Sequence, residues 1–443
     1  MKRYNSYKDS GVEWIGKIPS SWVKTKLKYK LQEVVTGGTP DTSNDSFWSD
    51  QDNGINWISI SDITSNGREI TETKKFISEK GLESKNLQIL PIGSLIYSIY
   101  GSIGKISRLG IPSTIHQGIL SLKTNSTYNT TFLEYYLIYF KEYVSLFSSS
   151  NTQENLNQEK VSNFDIPVPP LSEQQQIVSF LDTKTSLIDS LIEKTQRKIE
   201  LLKEKRTSLI NEVVTKGLNP NVEMKDSGVE WIGEIPSHWT CGKLKYLSEI
   251  ISKGTTPSTV GREVLDEGSI FYIKVENIKE RTVETPPINY IDEETDRILK
   301  RSSLIENDIL VVITGSTTGK VVILPKELSP SNTNQGISFI RLKNKSNENV
   351  KYTWYWLSSE IIQELIKITY TQSTQPNLSM EDLGNFYIPI PPLEHQQQIV
   401  EYLDEQTGLI DKTISIEEKR IELLKEYRQS LISEVVTGKQ KVV

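Results

Sequence analysis

The sequence predicts a mixed chain, α/β in composition (α+β). Two strand-rich domains are separated by two long antiparallel coiled-coil helices, as a pseudo-two-fold tandem repeat. Three observations carry this. KDSGVEWIGKIPSSW at 8–22 returns as KDSGVEWIGEIPSHW at 225–239, thirteen of fifteen positions matching at an offset of 217. IPVPPLSEQQQIVSFLD at 166–182 returns as IPIPPLEHQQQIVEYLD at 388–404, at an offset of 222. Each of these second anchors opens a long segment with apolar residues at heptad spacing. The order is short motif, variable block, long block, then the same again. Divergent blocks on a duplicated framework suggest two sites of one architecture with different specificities; a recent duplication with no division of labour is the bland alternative.

Residues 1–170 form the first domain. VKTKLKYKL at 23–31 alternates strictly, so a strand is expected with Val23, Thr25, Leu27, Tyr29 and Leu31 on one face. Lys24, Lys26, Lys28 and Lys30 would line the other, a basic stripe suited to phosphate or simply a solvated face. INWISI at 55–60 and SLIYSIY at 94–100 read as further strands, and FLEYYLIYFKEYV at 132–144 as a helix. Two turn-rich stretches, 41–54 and 148–158, supply polar loops where base-edge readout is expected.

Residues 171–217 form the first helix. It starts after Pro169-Pro170, where Ser172 and Gln175 have capping-box spacing, and runs free of Gly and Pro to a C-cap at Lys216-Gly217. The 44 residues of 172–215 make about 66 Å of helix. Its seam is Ile188, Ile192, Thr195, Ile199, Leu202, Arg206, Leu209 and Val213. Residues 218–392 form the second domain, with strands at IFYIKV (270–275) and ILVVIT (309–314) and a helix at YTWYWLSSEIIQELI (352–366) whose Trp354 and Trp356 read as core. Residues 393–443 repeat the helix, with a seam of Ile410, Ile414, Glu417, Ile421, Leu424, Arg428, Leu431 and Val435. Two matching seams in one chain most simply pack on each other, and closure of a duplicated unit favours the antiparallel pairing. Arg206 and Arg428 either fix register or snorkel to water.

Length alone suggests about three domains. The net charge of −6 argues against a uniformly basic nucleic-acid coat but is unevenly spread: +1 over 1–170, +1 over 171–220, −5 over 221–392 and −3 over 393–443. A single cysteine, Cys241, excludes a disulfide framework and a cysteine-based zinc site, and points to the cytoplasm. No apolar run approaches the ~18 residues of a membrane span, so no membrane partner is expected. Catalytic signals are weak. GSTTGK at 315–320 is one residue short of a phosphate loop and has Val321 where a magnesium-binding hydroxyl belongs, so a tight turn is the better reading, as for GSIGK at 101–105. Pro40-Asp41 with Glu72-Thr73-Lys74 mimics a nuclease signature that is common by chance. His116, His238 and His395 sit in unrelated contexts.

The combination KDSGVEWIGxIPxxW, a variable block ending IPxPPLxxQQQI, and a heptad helix, all present twice, resembles the specificity subunit of type I restriction–modification enzymes. That resemblance covers essentially the whole chain. It implies that each variable block is a target recognition domain reading one short half of a bipartite, asymmetric site in double-stranded DNA. It implies an antiparallel coiled coil that holds the domains apart, two methyltransferase subunits as partners and, in the full complex, restriction subunits. The chain itself would have no catalytic activity and no cofactor; S-adenosylmethionine, ATP and magnesium are expected on the partner subunits. A self-contained restriction or methylation enzyme, or a coiled-coil interaction protein with two ligand modules, are the alternatives.

By resemblance and by chemistry, the DNA-contacting residues are polar groups of the Gly turns and loops. In the first domain these are Thr36, Gly38, Thr39, Tyr100, Ser102, Lys105 and Gln117, with Lys26 and Lys28 for phosphates. In the second they are Thr255, Thr256, Thr314, Ser316, Thr317, Lys320 and Gln335, with Lys243 for phosphate. Many of them could equally cap turns. Trp14, Ile18 and Trp22, and their counterparts Trp231, Ile235 and Trp239, are expected to dock on the coiled coil or a methyltransferase subunit.

Overall fold

A computed structural model describes residues 3–147, 156–286, 289–371 and 377–442. Of the polar loop expected at 148–158, residues 148–155 lie outside them. The chain forms two compact units, 1–195 with 419–443, and 196–418. Each holds one strand-rich domain, part of one long helix and part of the other.

In the first unit the repeated motif is a hairpin. Tyr7–Asp9 pairs antiparallel with Lys17–Pro19. The reverse turn between them uses Gly11 and Gly16 at φ +70° and +69°, conformations open to glycine, and Asp9 accepts from the Gly11 amide. This accounts for the DSG and IG of the motif. Strand β1 (Val23–Lys26) then pairs with β6 (Asp165–Val168), while β2 (Leu31–Thr36), β3 (Leu95–Ser98), β4 (Ile106–Leu109) and β5 (Ile119–Thr124) build the main sheet in the order β2-β5-β3-β4, with Glu69–Ile70 at the edge.

The single strand expected over 23–31 is not formed. The Leu27 amide donates to the Phe164 carbonyl, and a 3-10 turn at Leu27–Tyr29 separates β1 from β2. That resets the alternation: Leu27 is buried, but Val23 is 58% and Tyr29 66% exposed. The expected helix at 132–144 runs over Thr130–Phe140 and tightens into a 3-10 segment. Its aromatics Phe132, Tyr135, Tyr136 and Phe140 fill the core with Trp22, Tyr97 and Phe164.

Helix α1 (Leu171–Lys216) starts one residue before Ser172, which therefore lies inside the first turn. Gly217 caps its end at φ +74°. Helix α2 (Leu393–Val436) repeats it. In the first unit Ile188 of α1 and Leu431 of α2 are buried in one core, with Ile192 and Leu424 packed against it, and Ile421 is also buried. Arg428 is held by Asp189 at 2.9 Å.

The second unit repeats this plan. Met224–Asp226 pairs with Glu234–Pro236, β7 (Thr240–Lys243) pairs with β12 (Tyr387–Ile390), and the main sheet is β8 (Ser248–Lys253), β11 (Ile337–Leu342), β9 (Ile309–Val312) and β10 (Val321–Ile323), in that order. The helix expected at 352–366 is two helices, Asn347–Leu357 and Glu360–Thr371, broken at Ser358-Ser359 where Ser359 donates to the Trp356 carbonyl. Trp354 and Trp356 are core residues, each with its indole N–H on a backbone carbonyl. In this unit Lys198 pairs with Glu417 and Arg206 with Asp411, so residue numbers fall on α2 as they rise on α1: the two helix segments run antiparallel. Ile199, Ile410 and Ile414 are buried, Leu209 packs against the core, and Leu202 is half-buried. Arg206 is therefore tied to carboxylates, Asp411 and Glu280, and does not reach for water alone.

Candidate nucleic-acid interface

In the first unit β5 runs antiparallel to both β2 and β3. The end of β2, the start of β5 and the end of β3 therefore meet at one edge, and this gathers the GGTP, HQG and GSIGK turns. The fit is close. The Gly37 and Gly38 amides donate to the carbonyls of Ile119 and Ile115, and a Cβ on Gly37 would lie 2.1 Å from the Ile115 oxygen. His116 presents Nδ1 to the Gly118 amide at 2.9 Å. Burial, with Lys75 nearby, lowers the His116 pKa, which keeps the ring neutral and Nδ1 an acceptor. The Ile99 amide donates to the Gly118 carbonyl, and Gly101 and Gly104, at φ +66° and +78°, turn the chain from β3 into β4.

On this edge Tyr100 and Gln117 are exposed, Lys105 is half-buried, and Thr36 is exposed with its hydroxyl on Gln158 at 3.1 Å. Ser102 bonds to Thr64 at 3.1 Å. The Thr39 hydroxyl is buried without a hydrogen-bond partner among the described residues. Behind the turn, Trp57 donates to the Gly38 carbonyl and meets Trp48 and His116 edge to face at 5.3 and 5.4 Å, with Lys75 over both indoles. This aromatic group is not legible as a site in the sequence; the only signal is that Trp48 lies in the polar 41–54 loop. That loop itself spends Asp41, Asn44 and Asp50 on its own backbone turns.

The second unit assembles the same edge from partly different side chains. The Gly254 and Thr255 amides donate to the carbonyls of Ile337 and Thr333, and a Cβ on Gly254 would lie 2.1 Å from the Asn334 oxygen. Asn334 takes the place of His116, accepting from the Gly336 amide at 3.2 Å. Thr256 is hydrogen-bonded to Gln335, and the Thr255 carbonyl accepts from Tyr272. GSTTGK is the turn of the β9–β10 hairpin, with Gly315 and Gly319 at φ +84° and +96°. A strand follows it, where a phosphate loop would lead into a helix. Ser316 is exposed; Thr314, Thr317 and Lys320 are half-buried around it.

The lysines expected to hold phosphates are not part of these edges. Lys26 and Lys28 precede β2, whose first residue lies about 17 Å from Thr36 at its other end. Lys26 is paired with Asp165 at 2.8 Å, and Lys28 sits over the Tyr29 ring. Lys243, at the opposite end of β8 from Thr255, sits over Tyr387. Of the paired tryptophans, Trp22 and Trp239 dock on the long helices, while Trp14 packs on Phe140 and Trp231 stacks on Trp356 within their domains. Trp22 donates to Glu173 of α1 at 3.1 Å and lies against Gly438 at the end of α2, while Trp239 lies against Gly217 at the end of α1. His238 and His395, unrelated in sequence, meet with ring nitrogens 3.1 Å apart. Among the described residues no group of three or more His, Cys, Asp or Glu is placed to hold a metal, and no helix is long and apolar enough to cross a membrane.

Each domain is also tied to its long helix by the same polar contact. Tyr135 donates to Asp182 at 2.7 Å and meets Thr185; Tyr355 donates to Asp404 at 2.8 Å and meets Thr407.

The comparisons with known proteins agree with this duplicated plan. The chain is 26% identical over 437 residues to the type I restriction enzyme MjaIX specificity subunit of Methanocaldococcus jannaschii, covering 97% of this chain and 95% of that protein. It is 24% identical over 342 residues to the EcoBI specificity subunit of Escherichia coli, covering 74% and 69%. Among solved structures, the fold is shared with a chain from work on complex assembly and conformational transition of the type I R-M system (TM-score 0.71, 17% identity, 95% and 98% covered). It is also shared with the HsdS subunit from Thermoanaerobacter tengcongensis (TM-score 0.53, 16% identity, 96% and 98% covered). The model of the type I restriction modification DNA specificity domain matches twice, at 19–201 and 236–426, once over each half of the repeat. The chain therefore belongs to the family of type I restriction–modification specificity subunits.

Proposed function

We propose that this chain is the non-catalytic sequence-reading subunit of a type I restriction–modification complex, and that each sheet-edge cluster reads one half of a bipartite, asymmetric target in double-stranded DNA. One observation carries this. The same backbone edge, fixed by a glycine that admits no Cβ, is built twice; Ser102/Ser316, Lys105/Lys320 and Gln117/Gln335 are shared, while Gly38/Thr255, Tyr100/Thr314 and His116/Asn334 differ. Thr36, Tyr100, Ser102, Lys105 and Gln117 form one set; Thr256, Ser316, Thr317, Lys320 and Gln335 form the other. Exposed amides and hydroxyls on a rigid edge suit hydrogen bonding to base edges, and a lysine beside them suits the phosphate backbone. Gly38, Thr39, Thr255 and Thr314 shape the turns from which these groups project.

The helices set the spacing and receive two methyltransferase subunits. Besides the buried seam they carry exposed apolar residues at heptad spacing. In the first unit these are Leu187 and Leu191 on α1 with Leu423 and Tyr427 on α2; in the second they are Leu201 on α1 with Tyr402, Leu409 and Ile416 on α2. A second apolar stripe on a helix already packed on one face supports further helices docking there. S-adenosylmethionine, ATP and magnesium belong to the partner subunits, restriction subunits included, in this scheme.

The test is to exchange residues 23–165 for the corresponding block of another family member and to map methylation with the methyltransferase partner present. One half-site changes and the other stays. A change in both, or methylation by the purified chain alone, would refute the scheme.

A further inference from the structure

The two halves of the repeat differ at the buried corner that holds Trp22 in one and Trp239 in the other. In the first unit Glu173, in the first turn of α1, accepts from the Trp22 indole N–H at 3.1 Å and from the Tyr4 hydroxyl at 2.5 Å. Tyr4 packs edge to face on Trp22, at 5.9 Å between ring centroids. Carboxylate, indole and phenol close this corner. At the matching positions the second unit has His395 for Glu173 and Asn221 for Tyr4, at offsets of 222 and 217, while Trp239 stands for Trp22. Trp239 is 1% exposed, and its indole N–H has no hydrogen-bond partner among the described residues. Asn221 is exposed and does not replace the phenol. A cavity of about 300 Å³ remains, lined by Trp239, His238, His395 and Lys216 with apolar walls that include Leu218 and Ile399.

We infer that this cavity binds a small carboxylate, which takes the place of the missing Glu173 carboxylate on the Trp239 indole N–H. The cavity lining has the sign such a ligand needs. In the first unit the equivalent indole N–H points at residue 173, and residue 395 is its counterpart on the cavity wall. The paired imidazoles share one N···N contact at 3.1 Å, which occupies one nitrogen of each ring and leaves the other to solvent or ligand. Lys216 adds a cation, and no Asp or Glu lines the cavity. His395 sits in the first turn of a 44-residue helix, where the dipole favours an anion and disfavours a cation. A buried indole N–H without an acceptor carries a cost of about 1–3 kcal/mol in general, which an arriving acceptor relieves. The volume is at the lower end of small-molecule sites, which suits an acetate-to-amino-acid-sized group, free or at the tip of a partner's acidic side chain.

The experiment follows the indole N–H resonances of the full-length chain labelled with ¹⁵N-tryptophan, with the Trp239 signal assigned by its loss in Trp239→Phe. Sodium acetate is titrated against sodium chloride at matched ionic strength. The expected result is a saturable downfield movement of the Trp239 signal with acetate alone, while the Trp22 signal, already on Glu173, stays in place. His395→Glu supplies the carboxylate from within, so its Trp239 signal starts at the acetate-bound position and no longer responds. A Trp239 signal that acetate leaves unmoved, or that responds equally in His395→Glu, overturns the inference; should that variant fail to fold, titration of the unaltered chain decides. Repeating the titration in complex with a methyltransferase subunit separates the sources. Loss of the acetate response assigns the carboxylate to the partner, and persistence assigns it to a free small molecule.

Discussion

Gly37→Ala tests whether the reading edge depends on the contact that excludes a side chain. A Cβ at residue 37 would lie 2.1 Å from the Ile115 oxygen, 2.3 Å from the His116 oxygen and 2.6 Å from the Ile115 carbonyl carbon. All three are backbone atoms, so no side chain can rotate away. Relief to an ordinary contact of about 3.2–3.4 Å needs the two turns to separate by roughly 1 Å, which removes the Gly37 and Gly38 amides from the Ile119 and Ile115 carbonyls. Two hydrogen bonds, each worth ~1 kcal/mol net and more where a group stays buried, give about 2–4 kcal/mol. At ~2–4 °C per kcal/mol for a unit of this size, the first unit should melt roughly 4–16 °C lower. Gly67→Ala is the control in the same unit, because nothing lies within 4 Å of its added Cβ. Thermal melting with amide exchange at residues 37, 38 and 119 reads stability, and methylation mapping reads specificity. The reasoning fails if Gly37→Ala melts like Gly67→Ala, or if its first half-site preference is unchanged.

Four further outcomes are expected. His116 has its pKa lowered by burial and by Lys75, so the unfolded chain binds protons more readily. The first unit should then hold this contribution above about pH 6.5 and lose it as pH falls through the lowered folded value; His116→Asn, the residue at 334, should flatten that slope in melts between pH 5 and 7.5. Tyr135→Phe and Tyr355→Phe should each cost about 1 kcal/mol, and each should show coupling with Asp182→Asn or Asp404→Asn in a double-mutant cycle. Gln117→Ala and Gln335→Ala should each relax one half-site and leave the other intact, measured on a random duplex library with the methyltransferase partner. A fragment of residues 1–217 should self-associate, because the first unit needs the end of a second long helix; a strictly monomeric fragment by sedimentation would contradict the shared-helix plan.

What was legible in the sequence is what depends on local spacing. The heptad seam predicted a buried stripe; the structure buries Ile188, Ile199, Ile410, Ile414, Ile421 and Leu431 and leaves Ile192, Leu202, Leu209 and Leu424 half-buried. The repeated glycines of the hairpin and the short Gly turns were legible because positive φ leaves few alternatives to glycine. What was hidden depends on partners far along the chain. VKTKLKYKL alternates well, yet Phe164 captures the Leu27 amide and Asp165 takes Lys26 from 139 residues away, so the basic stripe dissolves. His238 and His395 are 157 residues apart and meet only because the motif hairpin folds against the start of α2. Trp48, Trp57 and Lys75 come from three separate segments of the first domain, and no single window shows them as a group.

The divergence between the halves follows the physical role of each position. At the reading edge the Gly118 and Gly336 amides keep an acceptor two residues earlier, although it is an imidazole nitrogen in one half and an amide oxygen in the other. Gly37 and Gly254 stay glycine because a Cβ on either would lie 2.1 Å from a backbone oxygen. Tyr135 and Tyr355 keep both the aspartate and the threonine they meet on the helix. A side chain that the fold does not hold, such as Tyr100 on one edge, is replaced by Thr314 on the other. At the Trp22 and Trp239 corner the halves differ as well: the Trp239 indole N–H lacks the carboxylate that Trp22 has, and the cavity that Trp239 lines has Lys216 and two imidazoles on its wall and no acid. An unmatched donor beside such a cavity is accounted for by an acceptor that arrives from outside the chain.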